Sequence, residues 1–289
     1  MPNNRKLSYE RQNKKLDLMP LPNEETLPIE KFYGTPATTP LQLKGYMKTE
    51  GVMSYSIVCV ISGGEKRERD FLLTLIRQQD LHSLRVAFIS KEGQGLQPNQ
   101  MHKQWEKIKK TKTVSINDCT FHLDEMDKVF LLSDVDEFYE QLVKILEEQS
   151  KDNSCQWIIS NPCFEIWLYY CFCNNPKEDL ASIELLDPNK RSQALKQLGN
   201  TVVAGGLSSI KAFEHMPEGI THSICHYDED DNAIPILYAT QMHNMAQFLI
   251  NTMNRNRGEY DEFVKRKQQQ RQEWRKKMIK TRLDKPTQK

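Results

Sequence analysis

Apolar residues fall in short continuous runs separated by amphipathic stretches. The first run, Tyr55-Ser56-Ile57-Val58-Cys59-Val60-Ile61-Ser62, is rich in β-branched side chains and lacks polar alternation, which predicts a strand buried on both faces. A Gly63-Gly64 turn follows. Over residues 65–79, Phe71, Leu72, Leu75 and Ile76 then share one helical face with charges elsewhere. The unit recurs, with strands predicted at 84–90 and 128–133, helices at 99–110 and 137–149, and a short fourth strand at 156–160. An extra edge strand is expected near 120–123. This alternation implies an α/β domain of parallel β-α-β units with right-handed crossovers, which bind ligands beyond the carboxyl ends of their strands.

The flanks read differently. Residues 1–50 place prolines among polar clusters, as in Met19-Pro20-Leu21-Pro22, and show no sustained period, the pattern of an extended or disordered arm. Beyond Phe164 the period is helical, with helices expected at 164–172, 190–198, 206–215 and 235–253. A break at 254–258 precedes a charged helix over 259–282. The expected division is therefore an arm (1–50), an α/β domain (51–175), a helical extension (176–254) and a basic helical tail (255–289).

Charge sharpens this division. Residues 1–50 carry 8 Lys+Arg against 6 Asp+Glu, residues 51–254 carry 19 against 28, and residues 255–289 carry 13 against 5. Regional charges of +2, −9 and +8 thus lie behind a net charge of +1. A basic tail on an acidic body suits polyanion binding or docking on its own body. Hydrophobic residues make up only 38%, consistent with long non-core segments. With no run of 18 apolar residues and no signal-peptide pattern, the expectation is a cytoplasmic protein without a membrane partner. The 7 cysteines include no C-x-x-C pair, which favours reduced, mostly buried thiols.

Three strand ends could carry chemistry. In Leu131-Leu132-Ser133-Asp134-Val135-Asp136-Glu137-Phe138, residues two apart on an extended chain share a face, so Asp134 and Asp136 could both hold a hard cation such as Mg²⁺ (or Mn²⁺). The plainer reading is a helix cap with a solvated neighbour. In Ser160-Asn161-Pro162-Cys163-Phe164-Glu165-Ile166-Trp167, Glu165 is either a first-turn acid or a further ligand or water-orienting group at the same sheet edge. In Ser62-Gly63-Gly64-Glu65-Lys66-Arg67-Glu68-Arg69, the amides of Gly63 and Gly64 could approach a phosphate that Lys66 or Arg67 neutralises, although P-loop spacing is absent.

Together these segments resemble the RloB family, whose members carry a Toprim-like fold and are associated with bacterial defence against phage. The family pattern is close to E-G-E-K-T-E after the first strand, D-x-D-E-F after a later strand, and S-N-P-C-F-E-x-W before a helix. Asp134-Val135-Asp136-Glu137-Phe138 and the segment from Ser160 to Trp167 match it, in the same order and spacing. The match covers about residues 56–172 well, the later helices loosely and the tails hardly at all. What the resemblance implies is a Toprim-like effector: a metal-dependent nuclease acting on RNA, with tRNA a candidate, or on DNA. Toprim sites pair a glutamate after the first strand with the later Asp-x-Asp. Here Gly63 stands at the position of that glutamate, while Glu65, Lys66 and Glu68 match later positions of the first motif, and Cys171 stands where family members tend to have histidine. Either Glu65 takes over across the double glycine, making Glu65, Asp134, Asp136 and Glu165 the catalytic acids, or the protein binds nucleic acid without cutting.

Two further segments have mixed readings. His222 and His226, four apart with Cys225 between, have a spacing that could chelate Zn²⁺ on a helix, or they are ordinary helix residues beside a solvated acidic loop. In the tail, Lys265, Arg266, Lys267, Arg275, Lys276 and Lys277 could contact phosphates while Trp274 stacks on a base. A solvated helix, or one that docks a partner protein or a second copy, has the same composition.

Overall fold

The computed structural model describes residues 55–77, 81–93, 95–149, 154–255 and 258–283, so the expected N-terminal arm lies outside the described residues. Strand β1 (Ser56–Ser62) leads into two short helices, α1 (Lys66–Phe71) and α2 (Leu73–Ile76). Strand β2 (Leu84–Ile89) precedes α3 (Pro98–Thr111), the hairpin β3 (Thr113–Ile116) and β4 (Cys119–His122), and β5 (Lys128–Asp134). Helix α4 (Tyr139–Gln149), β6 (Gln156–Ser160) and α5 (Glu165–Tyr170) complete the β-α part. The remainder is helical: α6 (Pro176–Asp179), α7 (Ala181–Glu184), α8 (Pro188–Val202), α9 (Ser209–Ala212), a 3₁₀ turn at Phe213–His215, α10 (Met216–Cys225), α11 (Met242–Arg255) and α12 (Glu259–Leu283).

The main sheet has four strands in the order β2-β1-β5-β6, all parallel, as the continuous apolar runs require. Alternation along each strand divides the core. Val58, Val60, Phe130, Leu132 and Ile158 face a layer built from α1, α2, α5 and the later helices, with Phe71, Trp167, Phe213 and Met242 at its centre. Ile57, Cys59, Ile61, Val129, Leu131 and Ile159 face α3 and α4, against Met101, Trp105, Leu142 and Ile145. This is a Toprim-like α/β fold with a helical C-terminal region.

Several expected elements are redrawn. The helix expected over 65–79 breaks at Leu72, where fully buried Phe71, Leu72 and Leu75 bend the chain around the core. The strand expected near 120–123 is half of a separate antiparallel hairpin, closed by Asn117 and Asp118 at φ 48° and 64°, and does not extend the main sheet. The helix expected over 206–215 shrinks to one turn plus the 3₁₀ segment. The helix expected to begin at Pro235 begins instead at Met242. The chain before it runs beside the end of β6, where Asn161 N–H donates to Ala239 O (3.0 Å), Tyr238 N–H to Asn161 O (2.9 Å) and Gln241 N–H to Ile159 O (2.9 Å). Backbone pairing with a strand end outweighs the helical period of that segment.

Helix α12 is docked through its N-terminal half. Tyr260 and Phe263 are buried against Phe213, and Arg271 pairs with Glu214 (2.5 Å). Beyond that pair Trp274 is 62% exposed, and Met278 and Ile279 are also exposed. Among the described residues no helix is long and apolar enough to cross a membrane.

Candidate functional site

Three acidic side chains from distant parts of the chain meet at the carboxyl end of the sheet. Asp134 is the last residue of β5, in register with Ser160 of β6. The turn after β6 brings the Phe164 N–H within 2.8 Å of Asp134 Oδ1, so the backbone that opens α5 fixes that carboxyl. Glu165, the first residue of α5, is 4% exposed, and its Oε1 lies 3.1 Å from Arg67 Nε and 3.9 Å from Lys196 Nζ. The third acid is Glu68 on α1, also buried, with its carboxyl folded back over Gly64. A Cβ at Gly64 would overlap Glu68 Oε1, so the glycine is what lets this acid approach the end of β1.

Desolvation and mutual repulsion dominate the electrostatics. Burial first, then the charges of Glu68 and Glu165, push the Asp134 carboxyl well above the usual carboxylate range; Lys196 and the Phe164 N–H act in the other direction. Glu68 is pushed up to about 7, again by burial before anything else, with its own backbone N–H, Lys196 and Arg67 opposing and Glu165 adding to the rise. Burial works against the charge of Lys196, but Glu165, Cys163, Asp134 and Glu68 outweigh it and hold that ammonium above its ordinary range. Burial drives the neighbouring Cys163 thiol upward too, so it stays protonated and is not a nucleophile at neutral pH.

Of the residues singled out from sequence, Asp134 and Glu165 are brought together, and Glu65 is turned away from them. Glu65 Oε2 accepts from the Gly93 N–H (2.8 Å) and lines a cavity of about 440 Å³ with Arg69 and Glu92 beside β2. Asp136 lies beyond the end of β5 at φ 25°, with its N–H 3.3 Å from Pro162 O, so the alternation expected to place it on the face of Asp134 stops one residue earlier. The glycine turn is also differently employed. Gly63 N–H donates to Leu132 O (2.8 Å), while Gly64 lies beneath a carboxylate rather than an open phosphate cradle. Arg67 bonds Glu165 and the Leu207 carbonyl (Nη1 3.1 Å), and Lys66 is exposed on α1.

Neither histidine of the candidate zinc pair is placed to chelate with the other. His222 Nδ1 lies 2.7 Å from Tyr170 O and His226 Nε2 lies 2.9 Å from Asn174 O, so both rings bond carbonyls at and beyond the end of α5. The tail cations Lys265, Arg266, Arg275, Lys276 and Lys277 sit on exposed positions of α12 with Trp274, and Lys267 Nζ lies 5.4 Å from the Phe263 ring centre. Lys196 was missed from sequence, and Glu68, which stands at the last glutamate of the E-G-E-K-T-E pattern, was passed over in favour of Glu65. Glu68 sits in the run Lys66-Arg67-Glu68-Arg69-Asp70, where composition alone does not separate a buried acid from an exposed one; its motif position was the available signal. Lys196 shares its amphipathic helix with Lys190 and Arg191, and no motif marks it out from them.

The donor set suits a hard divalent cation in one particular form. Among the described residues no three His, Cys, Asp or Glu side chains are arranged to hold a metal by themselves, so an all-protein cage is not present. Mg²⁺ commonly uses one or two carboxylates and completes its shell with water and substrate phosphate. Asp134 and Glu68, buried, repelling each other and without a direct ion pair among the described residues, match that requirement, whereas Glu165 is already bound by Arg67 and Lys196.

A four-stranded parallel sheet with carboxylates gathered at its carboxyl end defines a Toprim-like α/β protein. Within that class the chain belongs to the RloB-like protein family, whose model matches residues 57–249. The match runs through α1, β5, α5 and α8, the segments that carry Glu68, Asp134, Glu165 and Lys196. No curated protein and no solved structure matches the chain.

Proposed function

We propose that the chain is a Mg²⁺- or Mn²⁺-dependent phosphodiesterase that cleaves nucleic acid as a cytoplasmic effector of anti-phage defence. RNA, with tRNA a candidate, is the first substrate, following the family resemblance. The observation that carries the reading is the meeting of Glu68, Asp134 and Glu165, beside Lys196, at the carboxyl end of a parallel sheet. Asp134 and Glu68 would hold the cation, with water and a substrate phosphate completing its shell. Such an ion, when bound, polarises a phosphoryl oxygen and lowers the pKa of its water.

The chain's own residues then divide the work. The Phe164 N–H keeps Asp134 from turning, and Arg67 orients Glu165. Lys196, partly open to solvent, is placed to neutralise charge that develops on a phosphate. Incubating the purified protein with tRNA, single-stranded RNA and DNA in Mg²⁺ or Mn²⁺ tests this reading. Cleavage that disappears in Asp134→Ala is expected; no cleavage of any substrate, or cleavage equal in the variant, would overturn it.

A second reading, a catalytically silent nucleic-acid-binding or regulatory protein, is favoured by Gly63 at the motif glutamate position and by the ion pairs that engage Glu165. Calorimetric titration with Mn²⁺ separates the two. The enzyme binds the ion and loses that binding in Asp134→Ala, and the silent protein does not bind it.

A further inference from the structure

The opposite side of the same sheet edge carries a basic groove that the acid centre does not use. Helix α3 buries Met101, Trp105 and Ile108 against the sheet. Gln100, Lys103, Gln104 and Lys107 fall at i, i+3, i+4 and i+7, a single stripe on another side of the helix. With Ser90 and Lys91 from the end of β2, that stripe walls a groove of about 400 Å³ whose floor is Ile89 and Leu96. No acid lines it, and neither Lys103 nor Lys107 has an ion-pair partner among the described residues. The two ammonium-bearing residues stand one turn apart, about 6 Å along the axis.

The groove leads to the acid centre by a short backbone path. Leu96 on its floor donates its N–H to Gly63 O (3.1 Å), and Gly95 packs so closely on that carbonyl that a Cβ there would overlap it. The next residue, Gly64, lies under the Glu68 carboxyl. The double glycine therefore touches the floor of the lysine groove on one side and an acid of the centre on the other.

We propose that this groove is the seat of one flank of a single-stranded nucleic acid, its phosphates on Lys103 and Lys107 and its bases or sugars on Ile89 and Leu96. The chemistry matches term by term: ammonium groups for the phosphodiester backbone, an apolar floor for a ring, and amides of Gln100 and Gln104 for base edges or a 2′-hydroxyl. A concavity of this volume admits a nucleotide or two of a free strand but not a duplex cylinder. The inference extends the nuclease reading by giving its substrate a path and a strandedness, and its binding half stands without cleavage.

The test uses the full chain carrying Lys103→Glu and Lys107→Glu together, with Lys211→Glu, exposed on α9 and away from this helix, as control. Anisotropy of a labelled 20-mer of single-stranded RNA is followed in Ca²⁺ at increasing KCl. The paired variant should bind at least ten-fold more weakly and lose about 1.4 from the slope of log affinity against log salt, while the control stays near wild type. Unchanged affinity and slope in the paired variant, tighter binding of a duplex than of the strand, or full competition by polyglutamate would overturn the proposal. Hydrolysis of bis(p-nitrophenyl) phosphate in Mn²⁺, which needs the acid centre alone, is read alongside. If it is absent in wild type while groove-dependent binding persists, the nuclease reading fails and the groove stands; if polymer cleavage proceeds in the paired variant with unchanged KM, the groove fails and the nuclease reading stands.

Discussion

The two faces of the sheet reach the same edge with opposite chemistry. On the face covered by the later helices, Glu68, Asp134 and Glu165 are drawn into the interior and restrained by Arg67 and Lys196. On the face covered by α3, lysines stand in solvent on a local amphipathic helix. The first arrangement depends on long-range packing, since Lys196 arrives from α8, well beyond the end of the last strand, β6. The second depends on one helix and the strand end before it. Buried like charges are costly unless compensated, so the acid face should respond strongly to single substitutions and the solvated positions weakly.

The largest expected effect is that of Asp134→Ala, which should lower single-turnover RNA cleavage about 1,000-fold, or about 4 kcal/mol, yet leave strand binding in Ca²⁺ intact. Loss of both activities together would mean that the two faces are not separable. Lys196→Ala comes next, with an expected 10- to 100-fold fall in kcat. Because Lys196 holds Asp134 and Glu68 toward ionisation, its removal should also move the rising limb of the pH–rate profile to higher pH, and Lys196→Arg should restore most of both.

Thermal melts over pH 5 to 9 without metal sharpen the comparison further. Glu68 titrates in the folded protein near 7, above its unfolded value, so the native state holds the extra proton between those values. Stability is therefore highest below the unfolded value and falls as pH rises through about 7. The fall should flatten in Glu68→Gln, and added Mg²⁺ should offset it most on the alkaline side. The smallest effect belongs to the exposed end of α12, where Trp274→Ala should change the unfolding free energy by no more than about 0.5 kcal/mol, measured by urea titration.

How much of this was legible in sequence followed the range of the forces involved. Continuous apolar runs disclosed all four parallel strands, because a strand buried on both faces has no polar positions to lose. Asp134 and Glu165 were visible because each sits where a strand run stops. Glu65 was preferred to Glu68 on proximity to the glycines, but the helix turns Glu65 toward the β2–α3 loop and returns Glu68 over Gly64. The segment before α11 looked helical because Ile234, Ile236, Leu237 and Tyr238 are apolar; pairing with the end of β6, which no local period encodes, decided it. The break at Leu72 had no glycine or proline to announce it.

That stretch beside β6 has a consequence for the protein's solubility. Ile159 is in the outermost strand of the sheet, yet its N–H donates to Gln241 Oε1 (3.0 Å), its carbonyl accepts from the Gln241 N–H, and Thr240 bridges Ser160. The terminal rungs of that border are thus already taken by the chain itself. A foreign β-segment approaching there meets no vacant amide or carbonyl, which guards this rim against runaway strand recruitment.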